Sequence, residues 1–195
     1  LHGSSAASDV YKRQDMDHTD KVVVFIDECR SMGLKVEAPN VNRCQFRFTA
    51  EGTDTVRYGL GAIKGVGQAA IENIVEEREQ GGPYRDIFDF CRRIDSKRVN
   101  RRACEAMIKA GVLDELGASR ASLLYDLPAA AQAAEQHSRA TQAGQNDMFG
   151  GLDEPAASTV AVTSDVPEWD EQTRLAGEKE TLGLYLSGHP ITQYL

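Results

Sequence analysis

No stretch of this sequence approaches the roughly 20 consecutive apolar residues that a helical membrane span needs, so a soluble chain with no membrane partner is expected. Aromatic residues are scarce, at 7% with a single Trp. The 41% hydrophobic content of the 195 residues therefore promises a modest core in one or two domains. Cysteines number four (Cys29, Cys44, Cys91, Cys104), and no two form a C-x-x-C pair. The four histidines, His2, His18, His137 and His189, are equally scattered. Metal-ligand spacing is absent, and the thiols are expected to be buried and inert in a reducing cytoplasm.

Positive charge is also in short supply, with 22 Lys and Arg against 30 Asp and Glu. The resulting −8 looks wrong for a nucleic-acid binder until it is divided along the chain. Residues 1–55 carry −2, residues 56–120 carry +2, and residues 121–195 carry −8. The acidity is in the tail. In the middle segment Arg92, Arg93, Lys97, Arg98, Arg101 and Arg102 fall within eleven residues that contain one acid, Asp95. A cluster like this is either a solvated face or the electrostatic half of a phosphate-binding surface.

The most informative segment is Tyr58 to Arg78, YGLGAIKGVGQAAIENIVEER. Gly65 and Gly67 flank Val66 in a turn that opens a helix at Gln68, whose Ala70, Ile71, Ile74 and Val75 recur at helical spacing. Lacking Cβ atoms, the glycines allow backbone angles and a closeness of approach denied to other residues. The free N–H groups of the following helical turn make an anion site, with Lys64 beside it. The pattern resembles the helix-hairpin-helix module, which grips the sugar-phosphate backbone without reading bases. Two other readings fit the same residues. Gly65-Val66-Gly67-Gln68-Ala69-Ala70 matches a dinucleotide fingerprint, which requires a preceding apolar strand that Ile63-Lys64 does not provide. The plainer alternative is a helical corner with glycine caps.

Around this segment the pattern predicts a mainly α protein. Residues 1–14 have no periodicity and are expected to be a disordered or non-native leader. A helix is expected from Asp20 to Met32, capped by Thr19 and ended by Gly33, with Val22, Val23, Ile26, Cys29 and Met32 inward. Phe46, Phe48, Val56 and Tyr58 alternate about Glu51-Gly52-Thr53-Asp54, which predicts a β-hairpin. Further helices are expected from Ile87, from Asn100 to about Ala110, and from Ser119 to about Gln142. Ala110-Gly111-Val112-Leu113 reads as a second, degenerate hairpin packed back to back with the first. From Gly150 to about Glu171 the composition is that of a flexible linker.

DMDHTDKVVVFIDECRSMGLKVEAPNVN, YGLGAIKGVGQAAIENIVEER, NRRACEAMIKAGVLDELG and EKETLGLYLSGHPI, in that order, resemble the alpha subunits of bacterial DNA polymerase III, the replicative C-family polymerases. The resemblance runs from about Asp15 to Leu195. It implies the end of the fingers region in residues 15–57 and a tandem helix-hairpin-helix domain, with its Ala-rich helix, in 58–143. A clamp-binding peptide and linker follow in 144–172, and residues 173–195 lead into an OB-fold not seen here. The family's catalytic aspartates lie before the matching region, so this stretch alone is expected to be inactive and to need no cofactor, with Mg2+ implied only for the parent polymerase. Asp15 and Asp17 form a D-x-D pair, but nothing nearby supplies further metal ligands.

The resemblance implies three partners: duplex DNA, the bacterial sliding clamp and other subunits of the replicative holoenzyme. For DNA the expected contacts are Lys64, Gly65, Val66 and Gly67, with Arg93, Arg98 and Arg102 facing phosphate. For the clamp, Gln145-Asn146-Asp147-Met148-Phe149 resembles a Q-x-x-[LM]-F docking peptide. There Gln145 would hydrogen-bond at a pocket mouth while Met148 and Phe149 bury apolar side chains. The alternative from another class is a stand-alone interaction or DNA-repair module whose hairpins pack on protein.

Overall fold

The computed structural model describes residues 19–144 and 163–188. Among them are six α-helices and one small three-stranded sheet, so the protein is mainly α, as expected. Helix α1 (Thr19–Ser31) buries Val22, Ile26 and Cys29 on its inner face, while Met32, expected on the same face, remains 43% exposed. Gly33, at φ +76°, turns the chain out of the helix, and its neighbour Leu34 donates back to the Cys29 carbonyl at 2.9 Å. The expected β-hairpin is present as β2 (Thr49–Glu51) and β3 (Thr55–Arg57), antiparallel with Ala50 opposite Val56. Phe48 and Tyr58 extend beyond the strands and pack with ring centroids 4.8 Å apart. Strand β1 (Lys35–Glu37) was not expected. It pairs parallel with β3, Val36 opposite Val56, and three residues with one apolar side chain are too short to show an alternation.

Four helices follow: α2 (Gln68–Gly81), α3 (Ile87–Arg93), α4 (Arg101–Lys109) and α5 (Arg120–Gly144). Asp86 and Asn100 cap α3 and α4 by accepting from the N–H groups of Asp89 and Ala103. The apolar spacing of α2 puts Ala70, Ile71 and Ile74 into the core, and α4 likewise buries Ala103, Met107 and Ile108. Helix α5 is buried where it packs on α3 and is exposed on nearly every side beyond Ala130.

One hydrophobic core joins α1, the sheet, the hairpins, α5 and the C-terminal Leu182 and Leu184. It runs straight through the expected boundary at residues 57 and 58. Arg78, only 8% exposed, reinforces the join by donating to the Val41 and Cys44 carbonyls at 2.8 and 2.7 Å.

Composition predicted a flexible linker up to about Glu171, and the last part of that stretch is ordered by specific bonds. Ser164 donates from its N–H and its hydroxyl to Asp126 on α5. The Val166 N–H donates to the Ser122 hydroxyl, and Glu168 accepts from the N–H groups of Arg120 and Ala121. Glu168 thus caps α5 from 48 residues away in sequence. This strap delivers α6 (Glu171–Leu182), capped by Asp170 at its start and by Gly183 in the left-handed region at its end.

Candidate nucleic-acid interface

The first hairpin is a 3-10 turn (Leu60–Ala62), the residues Ile63–Gly67, and then α2. There is helical turn rather than strand before Gly65, so the dinucleotide reading fails on its structural requirement. Gly65 sits at φ +86°, a region that L-residues with a Cβ rarely occupy. Gly67 differs. Its φ of −75° is ordinary, and an added Cβ would meet nothing within 4 Å. The expectation that both glycines serve unusual backbone angles is therefore corrected. Gly65 is needed by the chain's own geometry, whereas neither backbone angle nor packing accounts for Gly67.

The available N–H groups also differ from expectation. Lys64 donates its N–H to the Thr181 carbonyl on α6 at 2.9 Å, and Val66 donates to Ile63 at 3.4 Å. Those of Gly65, Gly67, Gln68 and Ala69 donate to no group among the described residues, and all four residues are exposed. Val66 is buried at 8% exposure and anchors the turn. An exposed helix N-terminus with its orphan donors outward is the geometry that accepts an anion.

The expected arginines divide. Gly65 lies against Ala106, to which an added Cβ would come within 3.6 Å, and Arg102 stands one turn before Ala106 on the same face of α4. Arg102 is exposed and, like Lys64, has no carboxylate within ion-pair distance among the described residues. Arg98 lies over the middle of α2, pairing with Glu76 at 3.3 Å and Glu72 at 3.9 Å. Arg93 belongs elsewhere. Its guanidinium stacks 4.4 Å from the Tyr84 ring centre and donates to the carbonyls of Glu77 and Gly82 and to Asp89. Those carbonyls are at the C-terminal end of α2, about 20 Å from the hairpin at ~1.5 Å per residue. Arg93 complements the negative helix end and lies away from the first hairpin.

The second hairpin repeats the backbone but not the surface. Gly111, at φ +80°, corresponds to Gly65. However, it is buried, and Asp114 and Glu115 follow where the first hairpin has Gln68 and Ala69. The Arg120 guanidinium lies across it, pairing with Asp114 through two bonds of 2.9 and 3.0 Å and with Glu178 at 3.1 Å. Glu178 is 1% exposed. Burial alone would raise its carboxyl, but the N–H donors of Ser187 and Leu186 and the charge of Arg120 outweigh that and hold it below the usual range. Nothing in the composition signals this pair, because Arg120 and Glu178 come together across 58 positions of sequence.

The four cysteines are buried and unpaired, and burial pushes the thiols of Cys91 and Cys104 up to about 12, so both stay protonated and unreactive. Among the described residues no cluster of His, Cys, Asp and Glu could hold a metal ion, and no helix is long and apolar enough to cross a membrane. Gln145, Met148 and Phe149 lie outside the described residues.

The sequence model of a family described as a helix-hairpin-helix motif matches residues 33–123. Among curated proteins, DNA polymerase III subunit alpha of Vibrio cholerae is 50% identical over 181 residues, which are 93% of this chain and 16% of that protein. The subunit alpha of Xylella fastidiosa strain Temecula1 is 52% identical over 183 residues, 92% of this chain and 15% of the relative. That of Escherichia coli K12 is 48% identical over 181 residues, 93% and 16% respectively. The chain spans about a sixth of the length of these relatives.

Proposed function

We propose that this chain, which is homologous to a segment of DNA polymerase III subunit alpha, holds the sugar-phosphate backbone of duplex DNA at its first hairpin and serves DNA-directed DNA synthesis in replication. One observation carries the reading. Gly67, the N-cap of α2, has an ordinary backbone angle and open space where a side chain would go, which leaves room there for a group from outside the chain. A phosphate fits that space. It meets the N–H groups of Gly65, Gly67, Gln68 and Ala69 at the positive end of α2, with Lys64, Arg98 and Arg102 around it. Contacts of this kind position a protein on DNA without reading sequence. The second hairpin takes no part, since Asp114 and Glu115 face the corresponding place and Arg120 is committed to Glu178.

The test is titration of a labelled duplex at several salt concentrations. Binding should be independent of sequence and should weaken steeply as salt rises, because counterions are released from each contacted phosphate. An apolar protein-interaction module would show neither property, and salt-independent binding would rule the DNA reading out.

The proposal extends to the sliding clamp, which Gln145, Met148 and Phe149 dock as a short peptide. Its support is the Q-x-x-M-F pattern between Gly144 and Gly150, just past the exposed end of α5. Ordering a short segment offsets part of the contact energy, so the affinity is expected to be modest, on the order of micromolar. Replacing Met148 and Phe149 together by Ala should abolish clamp binding in a titration, while Asn146→Ala should change little. Equal affinity of the double variant and the parent would remove the tethering role. The same homology supports assembly with other holoenzyme subunits in the cytoplasm.

A further inference from the structure

Helix α6 lies against both hairpins, although composition shows no reason for a helix after the linker to do so. It approaches α4 closely at Gly177, where an added Cβ would stand 3.4 Å from the Lys109 Cβ and 3.5 Å from its carbonyl oxygen. Lys109 pairs with Glu180 through both carboxylate oxygens, and Glu178 reaches under the helix to Arg120. One turn beyond Gly177, the Thr181 carbonyl accepts the Lys64 N–H of the first hairpin. Thr181 is 3% exposed and Leu182 is fully buried, so the accepting side of this bond is fixed in the core. Ala106, on the same α4, supports Gly65. The first hairpin is thus held at adjacent residues, Lys64 by α6 and Gly65 by α4.

We infer that α6 is a positioning element for phosphate binding: by accepting the Lys64 N–H it presets the hairpin that presents the donors of Gly65 and Gly67. It does so without touching DNA. The inference rests on the DNA-binding reading of the first hairpin. It follows that residues 171–182 and the DNA are coupled. Displacing α6 frees the Lys64 amide and lets the turn relax, so that binding DNA must then order it again, at a cost to affinity. The phosphates contacted do not change.

The experiment uses the full 195-residue chain, a labelled DNA duplex of arbitrary sequence, and amide hydrogen exchange. Gly177→Val carries methyl groups past the ordinary contact distance and pushes α6 away from Lys109, and Glu180→Ala, which removes only the pair with Lys109, is the milder step if the larger one fails to fold. The expected result is faster exchange at Lys64 with protection retained at Ile71 and Ile74 in α2. DNA affinity should fall several-fold at an unchanged salt slope, the Ala variant lying between parent and Val variant. A purely structural role for α6 would speed exchange and leave affinity alone, and that outcome overturns the inference. Unchanged exchange at Lys64 overturns it as well, since α6 would then not be what holds the hairpin. Failure of the parent to bind DNA sinks the proposed function and this inference together, and is told apart from the other outcomes by the parent titration alone.

Discussion

Gly65 and Gly67 are two positions apart and answer to different demands. A Val at 65 must occupy φ +86°, where the cost for a β-branched residue is on the order of 1–3 kcal/mol, and part of any lost binding would be lost folding. A Val at 67 meets no strain and no neighbour, and gives up only the mild advantage of Gly over Val as an N-cap, about 1 kcal/mol or less. Gly67→Val should therefore keep its melting temperature near that of the parent and lose most of its DNA affinity. The pair of measurements, thermal unfolding and duplex titration, checks both halves. The arginines separate in the opposite sense. Arg102→Ala should lower the salt slope of DNA binding by about one unit and leave stability unchanged. Arg93→Ala should leave the slope alone and cost about 2 kcal/mol in urea unfolding, because a stacked cation and several hydrogen bonds at the end of α2 are lost.

The strap and α6 are fastened through carboxylates, so their docking depends on pH. Burial would raise the Glu168 carboxyl, yet the N–H donors of Arg120, Trp169 and Ala121 together with the Arg120 charge hold it below the usual range, as similar donors do for Glu178. A carboxyl whose folded value lies below its unfolded one adds stability above the unfolded value. That stability is lost as the pH falls through the carboxylate range toward the lowered value. Acid should thus release the strap. Trp169, the only Trp of the chain, sits half-buried next to Glu168 and reports the event. Its fluorescence is expected to change on acidification, and Glu168→Gln should shrink that transition while weakening the docking at neutral pH. A pH-independent signal in the parent would show that the strap is held by other contacts.

In the molecule as a whole, the sheet, both hairpins and α6 share one core. Short elements such as the three-residue strands and α3 cannot persist alone, since their stability comes from burial against one another. Urea unfolding at neutral pH is therefore expected to be a single transition, with far-UV circular dichroism and Trp169 fluorescence coinciding. Two separate midpoints would mean that the strap and α6 are an independent layer. The −8 of residues 121–195 also acts at this scale. It opposes DNA through the overall field, so binding should be weak and confined to the basic middle segment.

The helices, their caps and the first hairpin were legible because each depends on residues near in sequence. Asn100 reaches an N–H three positions on, Gly65 makes its own turn, and the i, i+3, i+4 spacing of α2 lies within fourteen residues. The β2–β3 hairpin was legible for the same reason, while β1 pairs with a strand 20 positions away and left no local trace. The resemblance to the alpha subunits of DNA polymerase III was readable from four ordered blocks. Proximity in the chain could not say which arginine is already committed within the fold. Arg93 and Arg102 look alike in sequence, and only packing commits one to Tyr84 and leaves the other exposed with no ion pair among the described residues. Nor could it separate the two hairpins, which share Gly-Val and a positive φ. Their difference lies in Arg120, Glu178 and Thr181, brought from distant parts of the chain because buried charges and backbone donors must find partners wherever the fold supplies them.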